Sequence, residues 1–173
     1  MMRGWIPTRA SAKGRLVLAA LESFGRRGYD GVAVADLAAA AETTTGPLYH
    51  HFGSKLGLYD VVRADVERRI LDRMEGALAV PERPGEDPVA TALVVAFDYA
   101  VRAGVARLLG EPHPRGGRDP VADLLTARLD SGATPLGAML AAAWRAALAA
   151  TAEGAPPAAG RSALLALRAP PVS

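Results

Sequence analysis

Hydroxyl, phenol, imidazole and ammonium groups crowd into residues 43–55, which read TTTGPLYHHFGSK. The spacing predicts a short helix, a two-residue break and the start of a second helix. Thr44 is placed to cap the first helix through its hydroxyl, with Thr45, Gly46 and Pro47 filling the first turn. A proline is tolerated there because the first N–H groups of a helix have no intrahelical partner. Leu48 and Phe52, four apart, share one face that can be buried. Thr45, Pro47, Tyr49 and His50 are left on or near the opposite face. Hydroxyls, an imidazole, a phenol and a small apolar ring suit base edges and phosphates. Ser54 then caps the next helix, and Lys55 stands at its start, a natural phosphate site.

Other chemistries find less support. His50 and His51 are adjacent, so on a helix they point about 100° apart and cannot readily chelate one ion. His113 is remote in sequence, and there is no cysteine, which excludes disulfides, thiol catalysis and thiolate metal sites. No metal and no cofactor are expected. Arg115, Gly116 and Gly117 lack the Lys-Ser/Thr that a phosphate loop requires, and no nucleophile elbow or dinucleotide fingerprint occurs. No carboxylate stands in a recognisable pattern with a candidate base, so no catalytic residue is expected.

The elements that would hold the 43–55 stretch are helical. Half of the 173 residues are hydrophobic, dominated by Ala and Leu, with few aromatics; that composition favours an all-α fold. Formal net charge is only +2, but Arg3, Arg9, Lys13, Arg15, Arg26 and Arg27 give residues 1–30 a basic excess. Residues 1–10 read as a flexible basic arm. The first helix spans about 11–27, with Leu16, Ala20 and Phe24 in a stripe, and ends at Gly28. The second covers about 34–41. A turn at Glu42 leads into the helix of residues 43–52, and two short helices separated by a tight turn spell a helix-turn-helix.

A fourth helix from Ser54 to about Leu78 is long enough to enter a second body, with Asp65/Arg69 and Arg68/Asp72 as exposed four-spaced pairs. Later helices are announced by a capping side chain before a proline at Asp87-Pro88, Asp119-Pro120 and Thr134-Pro135. They predict helices over about 88–109, with Gly104 as a point of division, 120–130 and 135–152. Residues 154–160 read as a break and 161–168 as at most a short terminal helix. No apolar run approaches the roughly 18 residues of a membrane span, so a cytoplasmic protein without membrane contact is expected.

The run Leu16–Ala20, Phe24, Gly28, Tyr29, Asp36, Leu37, Ala38, Ala41, Gly46, Leu48, Tyr49, His51, Phe52, Ser54, Lys55 and Leu58 resembles the TetR family of bacterial repressors over about residues 9–60. The resemblance implies an all-α chain with a three-helix DNA-binding module at 11–55 and a helical effector-binding and dimerisation domain at 56–168, leaving 169–173 as a tail. It implies a homodimer, a double-stranded DNA operator and an unknown small-molecule effector that releases it. By the same resemblance Thr44, Thr45, Pro47, Tyr49 and His50 face DNA, Gly46 permits close approach, His51 contributes a backbone contact, and Lys55 meets a phosphate.

Three departures stand out. Ala33 replaces the usual Ser or Thr cap of the second helix, a loss of about 1 kcal/mol. Glu42 occupies a turn position often held by Gly, and a left-handed backbone there would cost roughly 1–2 kcal/mol. Leu56-Gly57 replaces an acidic capping partner, and Gly57 is expected to act as a soft joint whose replacement by Ala would stabilise the helix slightly.

Met74, Phe97, Met139 and Trp144 are candidates for an effector pocket, with ordinary core as the alternative for each. The Ala-rich helix 135–152 could instead form a dimer seam. The expected function is a ligand-responsive, dimeric transcriptional repressor on a pseudo-palindromic operator. The alternatives are an architectural helix-turn-helix protein without an effector and, remotely, a small all-α enzyme.

Overall fold

A computed structural model describes residues 10–81, 87–129 and 135–167. Nine α-helices and no strand occur among them: α1 Ala12–Arg27, α2 Val34–Ala40, α3 Thr45–Phe52, α4 Lys55–Leu78, α5 Pro88–Arg102, α6 Ala106–Gly110, α7 Pro120–Leu129, α8 Leu136–Ala152 and α9 Pro157–Ala166.

Local chemistry explains most boundaries. Ser11 Oγ accepts from Gly14 N at 3.0 Å and starts α1; Gly28 stops it with φ +71°, a region open to glycine. Ser54 Oγ accepts from Gly57 N at 2.9 Å and starts α4. Asp87 caps α5 through Val89 N, and Asp119 caps α7 through Val121 N, as the Asp-Pro pairs predict. The Thr134 cap lies outside the described residues, as do residues 1–9 of the expected 1–10 arm and the 169–173 tail.

Helix α2 lacks a side-chain cap at Ala33; instead Asp36 accepts from Ala33 N at 3.4 Å and from Arg27 at 2.8 Å. Its other end closes with Thr43 N donating to Ala38 O, while Glu42 takes φ +51°. That is a helix terminus built for glycine.

Gly104, at φ +69°, divides the predicted 88–109 helix into α5 and α6, as expected. Two expectations need correction. Helix α9 starts at Pro157 rather than 161, because Pro at a first-turn position suits a helix start. Asp65 pairs with both Arg69, at 2.8 Å, and Arg68, which turns back three residues rather than forward to Asp72.

One contiguous apolar core runs from Leu16 in α1 to Leu164 in α9. Helix α4 joins its two ends. Tyr59 packs against Phe24 of α1 and Tyr29 of the turn after it, whereas Val66, Ile70 and Met74 are buried further along. Burying each such large side chain is worth about 1.5–3 kcal/mol, so α4 is anchored at both ends. Close backbone approach reinforces this. A Cβ at Gly25 in α1 would overlap the carbonyl of Gly104, which holds α1 directly against the α5–α6 turn.

Candidate nucleic-acid interface

Helix α3 buries a single side chain fully, Leu48 at 0 % exposure. Phe52, at the helix end, is only half-buried because Gly53 turns the chain away with φ +75°. Around the rest of α3 the predicted residues come to the surface together. Thr44, Thr45, Gly46, Tyr49, His50 and His51 are exposed and Pro47 is partly so. Tyr49 is 53 % exposed, the value that separates a solvent-facing phenol from a core aromatic. His50 and His51 lie side by side with ring centroids 4.9 Å apart.

Thr44 occupies the N-cap position, but its hydroxyl makes no capping bond. The first-turn N–H groups of α3 therefore lack a side-chain acceptor from Thr44, in a helix start whose residues are exposed. A Cβ at Gly46 would meet only Thr44 Oγ1, at 3.8 Å. No contact among the described residues requires glycine there.

Lys55 is placed differently from the sequence expectation. Its Nζ donates to Tyr29 O at 3.0 Å and to Val32 O at 3.1 Å, and sits 3.9 Å from the centre of the Tyr29 ring. The ammonium is turned onto the α1–α2 turn.

The proposed effector residues differ in exposure. Met74, Phe97 and Trp144 are each 0 % exposed within the core, and Met139 is 62 % exposed on the outer side of α8. Met139 stands five residues before Trp144, about 140° around the helix from it. Two concavities occur elsewhere. One of about 550 Å³ lies between α1 and the α2–α3 turn, bordered by Arg15, Leu18, Glu22 and Glu42. Another, of about 370 Å³, lies between the ends of α4 and α7, bordered by Leu78, Ala79, Leu124 and Arg128. None of the four expected residues lines either one.

A polar junction went unread in the sequence. Arg63 of α4, 4 % exposed, donates to Glu67 at 2.9 Å, Tyr59 Oη at 2.8 Å, Leu108 O at 3.0 Å and Glu111 O at 2.9 Å. Arg145 of α8 donates to both oxygens of Asp119, at 2.5 and 2.7 Å, and to Leu109 O at 2.6 Å. It also approaches Glu67 at 3.6 Å. Burial raises the pKa of Asp119, but the hydrogen bonds and charge of Arg145 outweigh it and hold that carboxyl below its usual range. The legible signal was Arg63 and Glu67, four apart among the apolar Val62, Val66 and Ile70. Charged groups on the inner side of a helix need partners.

Among the described residues no group of three or more His, Asp or Glu could hold a metal ion. No helix among them is long and apolar enough to cross a membrane.

A tri-helical head with an exposed second helix of a helix-turn-helix, joined by one long helix to an all-α body, defines a DNA-binding protein of the helix-turn-helix class. Residues 16–62 match the profile described as "Bacterial regulatory proteins, tetR family". The fold is similar to a TetR-family transcriptional regulator from Pectobacterium atrosepticum, with TM-score 0.65, 24 % identity and 92 % of each chain covered. It is also similar to a TetR-like transcriptional regulator from Rhodococcus sp. RHA1, with TM-score 0.63, 21 % identity, 91 % of this chain and 93 % of that one covered. Residues 16–62 thus match the TetR-family DNA-binding segment, and the described helices beyond them share the fold of these solved regulators.

Proposed function

We propose that the chain is a homodimeric, ligand-responsive repressor that places two copies of α3 in successive major grooves of a pseudo-palindromic operator. The observation that carries this reading is the surface of α3, where Thr45, Pro47, Tyr49, His50 and His51 surround a helix anchored only through Leu48. Thr45 and Pro47 meet base edges or a thymine methyl. Tyr49 and the exposed N-terminus of α3, with Thr44 and Gly46, meet phosphates. The protein acts in the cytoplasm, where its DNA is.

The dimer reading is supported by α8 and α9. On α8, Ala138, Met139, Ala142, Ala146 and Ala150 are exposed and uncharged, and Leu165 of α9 is 51 % exposed. Small side chains let two such helices approach closely, and an apolar helix face of this length is unusual on a monomer. A twofold pairing there also gives the paired heads that a palindromic site requires.

The effector reading is supported by Trp144. Its indole Nε1 is buried and has no hydrogen-bond partner among the described residues, and an orphaned donor of this kind costs about 1–3 kcal/mol. An effector carrying a hydrogen-bond acceptor would satisfy it. The tight burial of Met74, Phe97 and Trp144 favours a second reading, an architectural DNA-binding protein without an effector.

Sequencing duplexes that the purified chain selects from a randomised pool tests the main reading. The expected product is two inverted half-sites with centres about 34 Å apart, or a multiple of that. Enrichment of nothing, or of a single unpaired half-site, would count against it.

A further inference from the structure

We infer that Lys55 is a positioning residue for operator binding. It clamps the α1–α2 turn onto the first turn of α4, so that the DNA-binding head and the start of α4 move as one body. The inference rests on the operator-binding reading and adds a residue role to it. A phosphate-binding lysine should present its ammonium to solvent. This one gives two hydrogen bonds to main-chain carbonyls, Tyr29 O and Val32 O, and lies against the Tyr29 ring.

The carbonyls it holds belong to the turn that leads directly into α2. The position of α2, and of α3 packed beside it, is thereby referred to α4. The ring under the ammonium continues the connection. Tyr29 packs edge-on against Tyr59 of α4 with centroids 5.0 Å apart, and both rings touch Phe24 of α1. The next residue pair hardens the same joint. Ser54 caps Gly57 N, and a Cβ on Gly57 would overlap the carbonyl of Phe52.

Lys55→Met keeps the aliphatic stem and removes the donor; Lys55→Arg keeps a cation able to donate to both carbonyls. The test uses the full chain, a duplex selected by the wild type, and a second duplex of unrelated sequence. Lys55→Met should lose roughly ten-fold in affinity for the selected duplex, the size expected for hydrogen bonds from a charged donor. Its slope of log affinity against log salt should stay at the wild-type value, because no phosphate contact is removed. Lys55→Arg should restore the affinity. Without DNA, hydrogen exchange of the amides of residues 29–37 should be at least several-fold faster in Lys55→Met.

A slope flatter by about 0.9, the contribution of one neutralised phosphate, would overturn the inference in favour of direct contact. So would exchange at the wild-type rate. A wild-type chain that selects no duplex would overturn the operator reading and the positioning role with it, whereas faster exchange would still establish the clamp.

Discussion

Gly57 lies so close beneath the carbonyl oxygen of Phe52 that no side chain fits between them. The α3–α4 corner is therefore closed by backbone contact, and the glycine serves close approach rather than flexibility. Gly57→Ala is expected to destabilise the chain, by roughly 1–3 kcal/mol, because the overlapping atom is main chain and cannot swing away. A urea titration checks this. The helix-propensity argument alone gives the opposite sign, a gain of up to about 1 kcal/mol, so the measurement decides between them.

Glu42 offers the reverse case. It sits in the left-handed region at φ +51°, at the terminus where Thr43 N reaches back to Ala38 O. Its side chain is exposed. Glu42→Gly should raise stability by about 1 kcal/mol, by relieving the clash between Cβ and backbone. The thermal midpoint should rise by a few degrees.

These two positions show what the sequence made legible. Most helices were readable, since capping residues and apolar periodicity agree with tertiary packing at Ser11, Ser54, Asp87 and Asp119, whereas the first turn of α9 was read as a break. Strain at Glu42 was readable too, because a helix end followed at once by another helix leaves few backbone choices. Contacts between distant segments were not. Nothing near Gly57 in the chain reveals that a carbonyl five residues earlier folds back onto it. Nothing near Lys55 reveals that Tyr29 O and Val32 O lie within reach. The exposed set on α3 was legible because it follows from helical spacing and one buried leucine. The four pocket candidates were not, because aromatic and Met residues at helical spacing read alike whether they fill a core or line a cavity.

On α3 the predictions separate base readout from phosphate contact. Thr45→Ala and Pro47→Ala should each relax preference at one operator position, costing about 1–3 kcal/mol only against the matched base. Tyr49→Phe should weaken binding by a similar factor on every sequence. Affinities across a set of single-base operator variants distinguish the two patterns. If Thr45→Ala and Pro47→Ala weaken every variant equally, those residues are scaffold.

Asp119 sets an acid limit on the body. Its carboxyl is held below the ordinary 3.8. The folded state thus binds its proton less readily than the unfolded chain, and the pair with Arg145 contributes fully above that ordinary value. The contribution fades as pH falls through the depressed folded value. Stability should therefore decline below about pH 4. In Asp119→Asn this part of the decline should be missing, with stability lower at neutral pH by about 1–3 kcal/mol, allowing for partial solvent screening. Chemical denaturation of both proteins between pH 3 and 7 reads the difference.

The dimer reading turns on the exposed strip of α8. Ala142 and Ala146 are four apart and solvent-facing in the single chain, with exposed Ala138 and Ala150 continuing the strip. If two copies pair there, an acidic side chain at the seam would be buried against its own twofold mate, where like charges repel and lose water. Ala146→Glu should then give a monomer by sedimentation equilibrium at concentrations where the wild type is dimeric. Each folded chain should be little changed in helicity, because in the single chain position 146 is open to solvent. The monomer keeps α3 intact but offers one head per molecule, so binding to a two-half-site operator should fall steeply while binding to an isolated half-site stays near the wild-type level. Ala146→Ser, small and uncharged, should remain dimeric. A variant Ala146→Glu that sediments as a dimer would place the seam elsewhere on the chain.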